Sequence, residues 1–222
     1  MHKSYVIRKG RFTAAQRKAY ETSADNILIP FSENHLDYSS VFNRKNNNSE
    51  DVIMEIGFGS GSATAEIAQA NPDKNYLGVE VHRPGIGRLL WETEKRSLSN
   101  VRIIEYDAAV VAQKMIAPCS LRGIHLFFPD PWPKKRHHKR RLVQRPFTDT
   151  LACCLMKGGY LYMVTDWEDY ALHALEELTA TAGLQNVYDN FAPHQSWRPV
   201  TRFERKGQAK DHLIRELYFI RN

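Results

Sequence analysis

Val52-Ile53-Met54-Glu55-Ile56-Gly57-Phe58-Gly59-Ser60-Gly61 joins a short apolar run to three closely spaced glycines. The run reads as a buried strand and residues 62–70 as a helix, so the glycines form the turn between them. The same strand-then-helix alternation continues downstream. Strands are predicted at 52–56, 76–81, 101–105, 123–128 and 160–165, with helical stretches near 62–70, 85–97, 108–116, 143–156 and 167–182. Two further strands, near 187–191 and 213–220, close the chain. The alternation predicts an α/β fold with a doubly wound, parallel sheet. Ligands of such sheets sit at the carboxyl ends of the strands, near the switch in strand order. Glu55–Gly61, Glu80, Asp107, Asp130 and Asp166 all fall at those ends. Helix capping accounts for Asp107 and Asp166 as readily as binding does, and for Glu55 and Glu80 less easily.

The glycine turn departs from the dinucleotide fingerprint G-x-G-x-x-G, reading G-x-G-x-G with an acid just ahead of it. Carboxylates around the loop disfavour a phosphate and favour a cationic, hydroxyl-rich ligand. S-adenosylmethionine has those features: a sulfonium, an ammonium and a ribose diol. In this reading Gly57 and Gly59 let the backbone approach the ligand, Glu80 accepts from the ribose hydroxyls and Asp107 from the adenine amine.

Phe127-Phe128-Pro129-Asp130-Pro131-Trp132 ends the fourth strand on a carboxylate between two prolines, which restrict its backbone. Behind it runs Lys134-Lys135-Arg136-His137-His138-Lys139-Arg140-Arg141, without an acid. The net charge of +6 is concentrated there and at the start: residues 1–20 hold six Lys/Arg and residues 134–145 hold seven. Without those thirteen, 18 bases face 25 acids, leaving the remainder at −7. Localised basicity marks a polyanion site, although a solvated tail and loop would look alike in sequence. Trp132 suits base stacking or core cover equally.

The length fits one domain, residues 51–222, preceded by a basic N-terminal extension and connector over 1–50. Thr13-Ala14-Ala15-Gln16 has the form of a capping box, predicting a short helix to about Tyr20. No run approaches the ~18 apolar residues of a membrane span, and the start lacks a signal-peptide core. Cys119, Cys153 and Cys154 fit buried free thiols of a reducing cytoplasm. Nine histidines without an H-E-x-x-H or Cys/His cluster give no metal site, and His125 reads as a satisfied core residue.

Across nearly its whole length the chain resembles the bacterial tRNA (guanine-N7)-methyltransferase family. The matching pieces are Gly10-Arg11-Phe12-Thr13 with Gln16, Glu55–Gly59, Gly78–Val81, Phe127–Trp132 with Lys134, Lys139–Arg141, Thr165-Asp166-Trp167 and Arg198–Glu204. The resemblance implies a Rossmann-like, seven-stranded class I fold with its last strand antiparallel, and 7-methylguanosine at tRNA position 46 as product. Carried over residue by residue, it implies cofactor binding by Glu55, Glu80, Asp107 and Asp130. Substrate contacts would fall to Lys134, Asp166, Thr201, Arg202, Phe203 and Glu204, and RNA contacts to Arg136, His137, His138, Lys139, Arg140 and Arg141.

Guanine N7 has an in-plane lone pair and needs no deprotonation, so alignment is the main requirement. Asp130 is the candidate for stabilising charge that develops on the base, with Asp166 and Glu204 as acceptors for the guanine N1-H and amine. Three alternatives remain open. Asp130-Pro131-Trp132 is similar to motifs of exocyclic-amine methyltransferases but has one proline where those have two. Glu80 also suits a nicotinamide reductase, and the basic tract suits a non-catalytic RNA-binding module.

Overall fold

The computed structural model describes residue 5 and residues 12–43, 51–201, 204 and 213–222. Seven strands form a single sheet in the order β3-β2-β1-β4-β5-β7-β6. They are β1 (Val52–Ile56), β2 (Asn75–Glu80), β3 (Val101–Glu105), β4 (Leu121–Phe127), β5 (Leu155–Thr165), β6 (Leu184–Asn186) and β7 (Arg215–Arg221). β1 to β5 run parallel, and β7 pairs antiparallel with both β5 and β6. The order reverses between β1 and β4, which opens a crevice at their carboxyl ends.

All five residues of β1 are buried, as an apolar strand covered on both faces must be. Val52, Met54 and Ile56 face a cluster with α5 (Ala108–Lys114), α6 (Phe147–Cys154) and α7 (Glu168–Thr179). Ile53 faces the other, with α1 (Ala14–Ile27), α3 (Ser62–Ala70) and α4 (Arg83–Lys95).

The capping box forms: the Thr13 hydroxyl accepts from Gln16 N at 3.2 Å, and Gln16 Oε1 accepts from Thr13 N at 2.9 Å. The helix runs on to Ile27, beyond the predicted end near Tyr20, and Ile27 packs against the core cluster that holds Ala19. The chain after it also packs. Leu28 bridges Ile103 of β3, and the short helix α2 (Tyr38–Phe42) buries Phe42. Within the expected extension and connector, residues 44–50 lie outside the described residues.

Three expectations are corrected. β5 starts at Leu155 rather than 160, directly after α6. β6 ends at Asn186, short of the strand expected near 187–191. There the Asn186 side chain accepts from Tyr188 N at 3.3 Å and donates to Asn190 O at 2.8 Å, turning the chain. Of the three thiols expected to be buried, only Cys154 is; Cys119 and Cys153 are exposed.

Candidate active site

The tips of β1 to β4 enclose a crevice of ≈ 220 Å³. Its wall includes Gly57, Glu80, Tyr106, Phe128, Asp130 and Leu142, and none of its described lining residues is a lysine or arginine. Glu80 organises the glycine loop. One of its oxygens accepts from Gly59 N at 2.9 Å, the other from Val81 N at 2.7 Å and His82 N at 3.0 Å. Gly57 and Gly59 have φ of 71° and 57°, and a Cβ at either would meet nothing within 4 Å. The loop is thus held open toward the crevice in a conformation side chains resist. Behind it, α4 approaches so closely that a Cβ on Gly85 would stand 1.9 Å from the Gly59 carbonyl oxygen.

Glu55 and Asp107 are not on the crevice wall. Asp107 caps α5, accepting from Ala109 N at 2.8 Å between the lining residues Tyr106 and Ala108. Glu55 is 2% exposed, and its Oε2 has no hydrogen-bond partner among the described residues. Burial pushes its carboxyl from 4.5 to about 7; the Thr64 hydroxyl opposes the shift and the charge of Glu80 adds to it. An orphaned acidic oxygen, with no lysine or arginine among the described wall residues, fits a cationic ligand better than a phosphate.

The same burial has a consequence for stability. A raised carboxyl stabilises the fold fully below 4.5 and loses that contribution as pH climbs through 7. Glu55→Gln is therefore expected to stabilise the ligand-free protein above pH 7, by up to about 3 kcal/mol, and to have little effect at pH 4.5. Melting temperatures of both proteins across that range check this.

Asp130 stands on the crevice wall in a constrained loop. Phe128 and Trp132, two residues to either side, have φ of 50° and 48°, a region unfavourable for such side chains. Phe128 N donates to Val164 O at 2.8 Å, joining the loop to β5. Asp166, at the tip of β5, is half-buried, and the N-cap of α7 is its neighbour Trp167. Trp167 occupies that position without a side-chain capping bond.

The basic tract forms a 3-10 helix over Lys135–Arg140. Lys134, Lys135, Arg136 and Lys139 are exposed, and His137 and His138 are half-buried. The Arg140 guanidinium lies 3.9 Å from the Trp132 ring centroid and donates to Tyr5 O at 3.1 Å. Arg141, expected among the RNA contacts, departs from that expectation. Its side chain is 2% exposed, held by Pro131 O at 3.1 Å and by Asp169, so a phosphate has no access to it.

Glu204 also sits differently from the expected base contact. It is buried, with both oxygens bonded to Arg198 at 2.6 and 2.9 Å, and Oε2 accepting from Thr201 N at 3.3 Å. The Thr201 hydroxyl accepts from Glu204 N at 3.0 Å. Arg198 bonds further to Glu216 of β7 at 2.7 Å and Tyr162 of β5 at 3.1 Å. Buried acids and His194 converge there on a guanidinium that supplies the positive charge. Arg202 and Phe203 lie outside the described residues. His125 is buried with Nε2 2.8 Å from the Tyr160 hydroxyl, but its Nδ1 lacks a partner among the described residues, so it is only half satisfied. Tyr106, His82, Leu142 and Gly85 were not singled out from sequence. Tyr106 and His82 lie at or just beyond strand tips, a usable signal, whereas Leu142 and Gly85 reach the site through tertiary packing.

The chain is similar to known proteins. A family model described as "Putative methyltransferase" matches residues 49–217. The tRNA (guanine-N(7)-)-methyltransferase of Nitrosomonas eutropha is 50% identical over 98% of this chain and 95% of its own length. That of Treponema pallidum subsp. pallidum is 46% identical over 98% and 95%. The chain belongs to the tRNA (guanine-N7)-methyltransferase family. Its sheet also matches more distant structures: the 16S rRNA methyltransferase KamB has a TM-score of 0.57 at 14% identity, covering 84% of this chain and 96% of that one. TrmN from Thermus thermophilus has 0.55 at 14% identity, covering 80% and 45%. These two speak for the fold alone. Within the family's sequence pattern, Asp130 and Asp166 now stand at neighbouring parallel strand tips, since β4 pairs with β5.

Proposed function

We propose that the protein transfers a methyl group from S-adenosylmethionine to N7 of a guanine in tRNA, at position 46 of the variable loop. The observation that carries this reading is a crevice with Glu80 and Asp130 on its wall at the strand tips and an exposed cationic tract following Asp130 in the chain. When bound, S-adenosylmethionine would supply an electrophilic sulfonium methyl. Gly57, Gly59 and Glu80 would hold it against the open loop, with Glu55 behind them for an ammonium and Asp107 beside the adenine end.

The protein's own part is alignment and charge. N7 attacks through a lone pair already in the ring plane, so no base has to remove a proton first. Positive charge then grows on the imidazole ring, and a fixed carboxylate in a water-poor crevice stabilises it most. Asp130, exposed at the crevice wall without a ligand, is the carboxylate we assign to that once donor and base cover it. Asp166 and Lys134 would contact the substrate, with Thr201 presented by the strap that Glu204 and Arg198 hold. Lys135, Arg136 and Lys139 are exposed for phosphates, with His137, His138 and Arg140 beside them.

No helix among the described residues is long and apolar enough to cross a membrane. We place the protein in the cytoplasm, where its substrate tRNA resides.

Labelled donor and unmodified tRNA test the proposal. Label should enter the tRNA, and strand cleavage by mild reduction and aniline should fall at position 46. Label on an exocyclic amine would favour the amine-methyltransferase alternative. A phosphate role for the tract predicts steep loss of tRNA affinity with salt. Arg136→Ala should lower the slope of log affinity against log salt by about one; filter binding across a salt series measures it, and an unchanged slope removes Arg136 from the interface.

A further inference from the structure

Arg141 is the one member of the basic tract whose side chain is fully buried, and its partners come from three functional segments. Nε donates to the carbonyl of Pro131, the residue after Asp130, at 3.1 Å. Nη2 donates to the carboxylate of Asp169 in the first turn of α7, three residues past Asp166. The same nitrogen lies 3.1 Å from Nε2 of His138, within the 3-10 helix. The guanidinium also lies 5.1 Å from the Tyr170 ring centroid, and the Tyr170 hydroxyl accepts from Val143 N at 3.1 Å. Leu142, next in the chain, is part of the crevice wall beside Asp130.

Chain restraints alone do not set this loop. Phe128 and Trp132 hold unfavourable backbone conformations on either side of Asp130, and such conformations persist only where the surroundings over-determine them. A guanidinium meets the carbonyl and the carboxylate through two different nitrogens fixed in a planar fork; an ammonium offers its donors from a single nitrogen and does not hold that spacing.

We propose that Arg141 is a positioning residue for methyl transfer: anchored by Asp169, it fixes the Pro131 carbonyl and thereby the Asp130 carboxylate, and ties that loop to the RNA-binding helix through His138. This rests on the proposed function, and it separates Arg141 from the neighbouring bases that meet phosphate.

Four variants test it: Arg141→Met, Arg141→Lys, Asp169→Asn and the double variant Arg141→Met with Asp169→Asn. Arg141→Met should lower kcat about a hundredfold, the cost of a misplaced reacting group, with tRNA Kd within about threefold and the salt slope unchanged. Arg141→Lys should not restore kcat, since charge without the fork does not hold both partners at their spacing. Asp169 is well exposed, so Asp169→Asn should keep the fold and cofactor affinity while lowering kcat about tenfold. The double variant should be no slower than Arg141→Met alone. Hydrogen exchange over residues 130–141, read without tRNA, should quicken in both single variants that break the pair. That readout judges the anchor even if wild-type protein leaves N7 unmethylated, which would instead defeat the proposed function. Wild-type kcat in Arg141→Met, rescue by lysine, a slope reduced as in Arg136→Ala, additive losses in the double variant, or unchanged exchange in Asp169→Asn would each overturn the proposal.

Discussion

Asp130→Asn is expected to lower single-turnover methyl transfer by roughly 10²–10³-fold while leaving tRNA Kd nearly unchanged. The carboxylate sits at the tip of β4 between two prolines and two residues in the left-handed region, so an amide of the same shape keeps the loop and removes only charge. Electrostatic stabilisation that matters in the transition state lowers kcat without weakening ground-state binding. Comparable losses in binding and turnover would show instead that Asp130 secures the substrate. Its distance from the exposed bases of the 3-10 helix, along a chain that first passes Trp132, makes the two roles separable by mutation.

Gly85→Ala is expected to be the most damaging single methyl group added to this protein. The new Cβ would stand 1.9 Å from the carbonyl oxygen of Gly59, a backbone atom that cannot rotate away as a side chain can. Either α4 withdraws or the glycine loop shifts, and the loop shift breaks the Gly59 N to Glu80 bond. Overpacking of this kind destabilises by on the order of 3 kcal/mol. S-adenosylmethionine affinity should fall at least about tenfold, the equivalent of one lost charge-assisted hydrogen bond. Calorimetric titration and thermal melts measure both. Wild-type affinity would mean that the loop is not the cofactor's support.

The parts of the site that were legible in the sequence are those encoded locally. The apolar run 52–56 and its glycines become β1 and the loop, and Glu80 ends β2 as its position after Gly78-Val79 suggests. The Thr13 capping box formed because both of its partners lie within four residues. What sequence concealed depends on distant partners. Arg141 looks like its basic neighbours until Asp169, 28 residues later, and Pro131 draw it inside. Glu204 looks like a free acceptor until Arg198 takes both its oxygens, and Gly85 looks like a helix-start residue until Gly59 approaches it. Asp107 was ambiguous in sequence; in the structure it caps Ala109 N and also hydrogen-bonds the side chain of Tyr5 on the crevice wall.

The most direct test of the central claim is a crystal structure with S-adenosylmethionine bound. The account predicts the donor between the tips of β1 and β4, its ammonium toward Glu55, its ribose at Glu80 and its methyl group facing the Asp130 side of the crevice. A donor seated elsewhere, with the Gly57–Gly61 loop and Asp130 untouched, would contradict it.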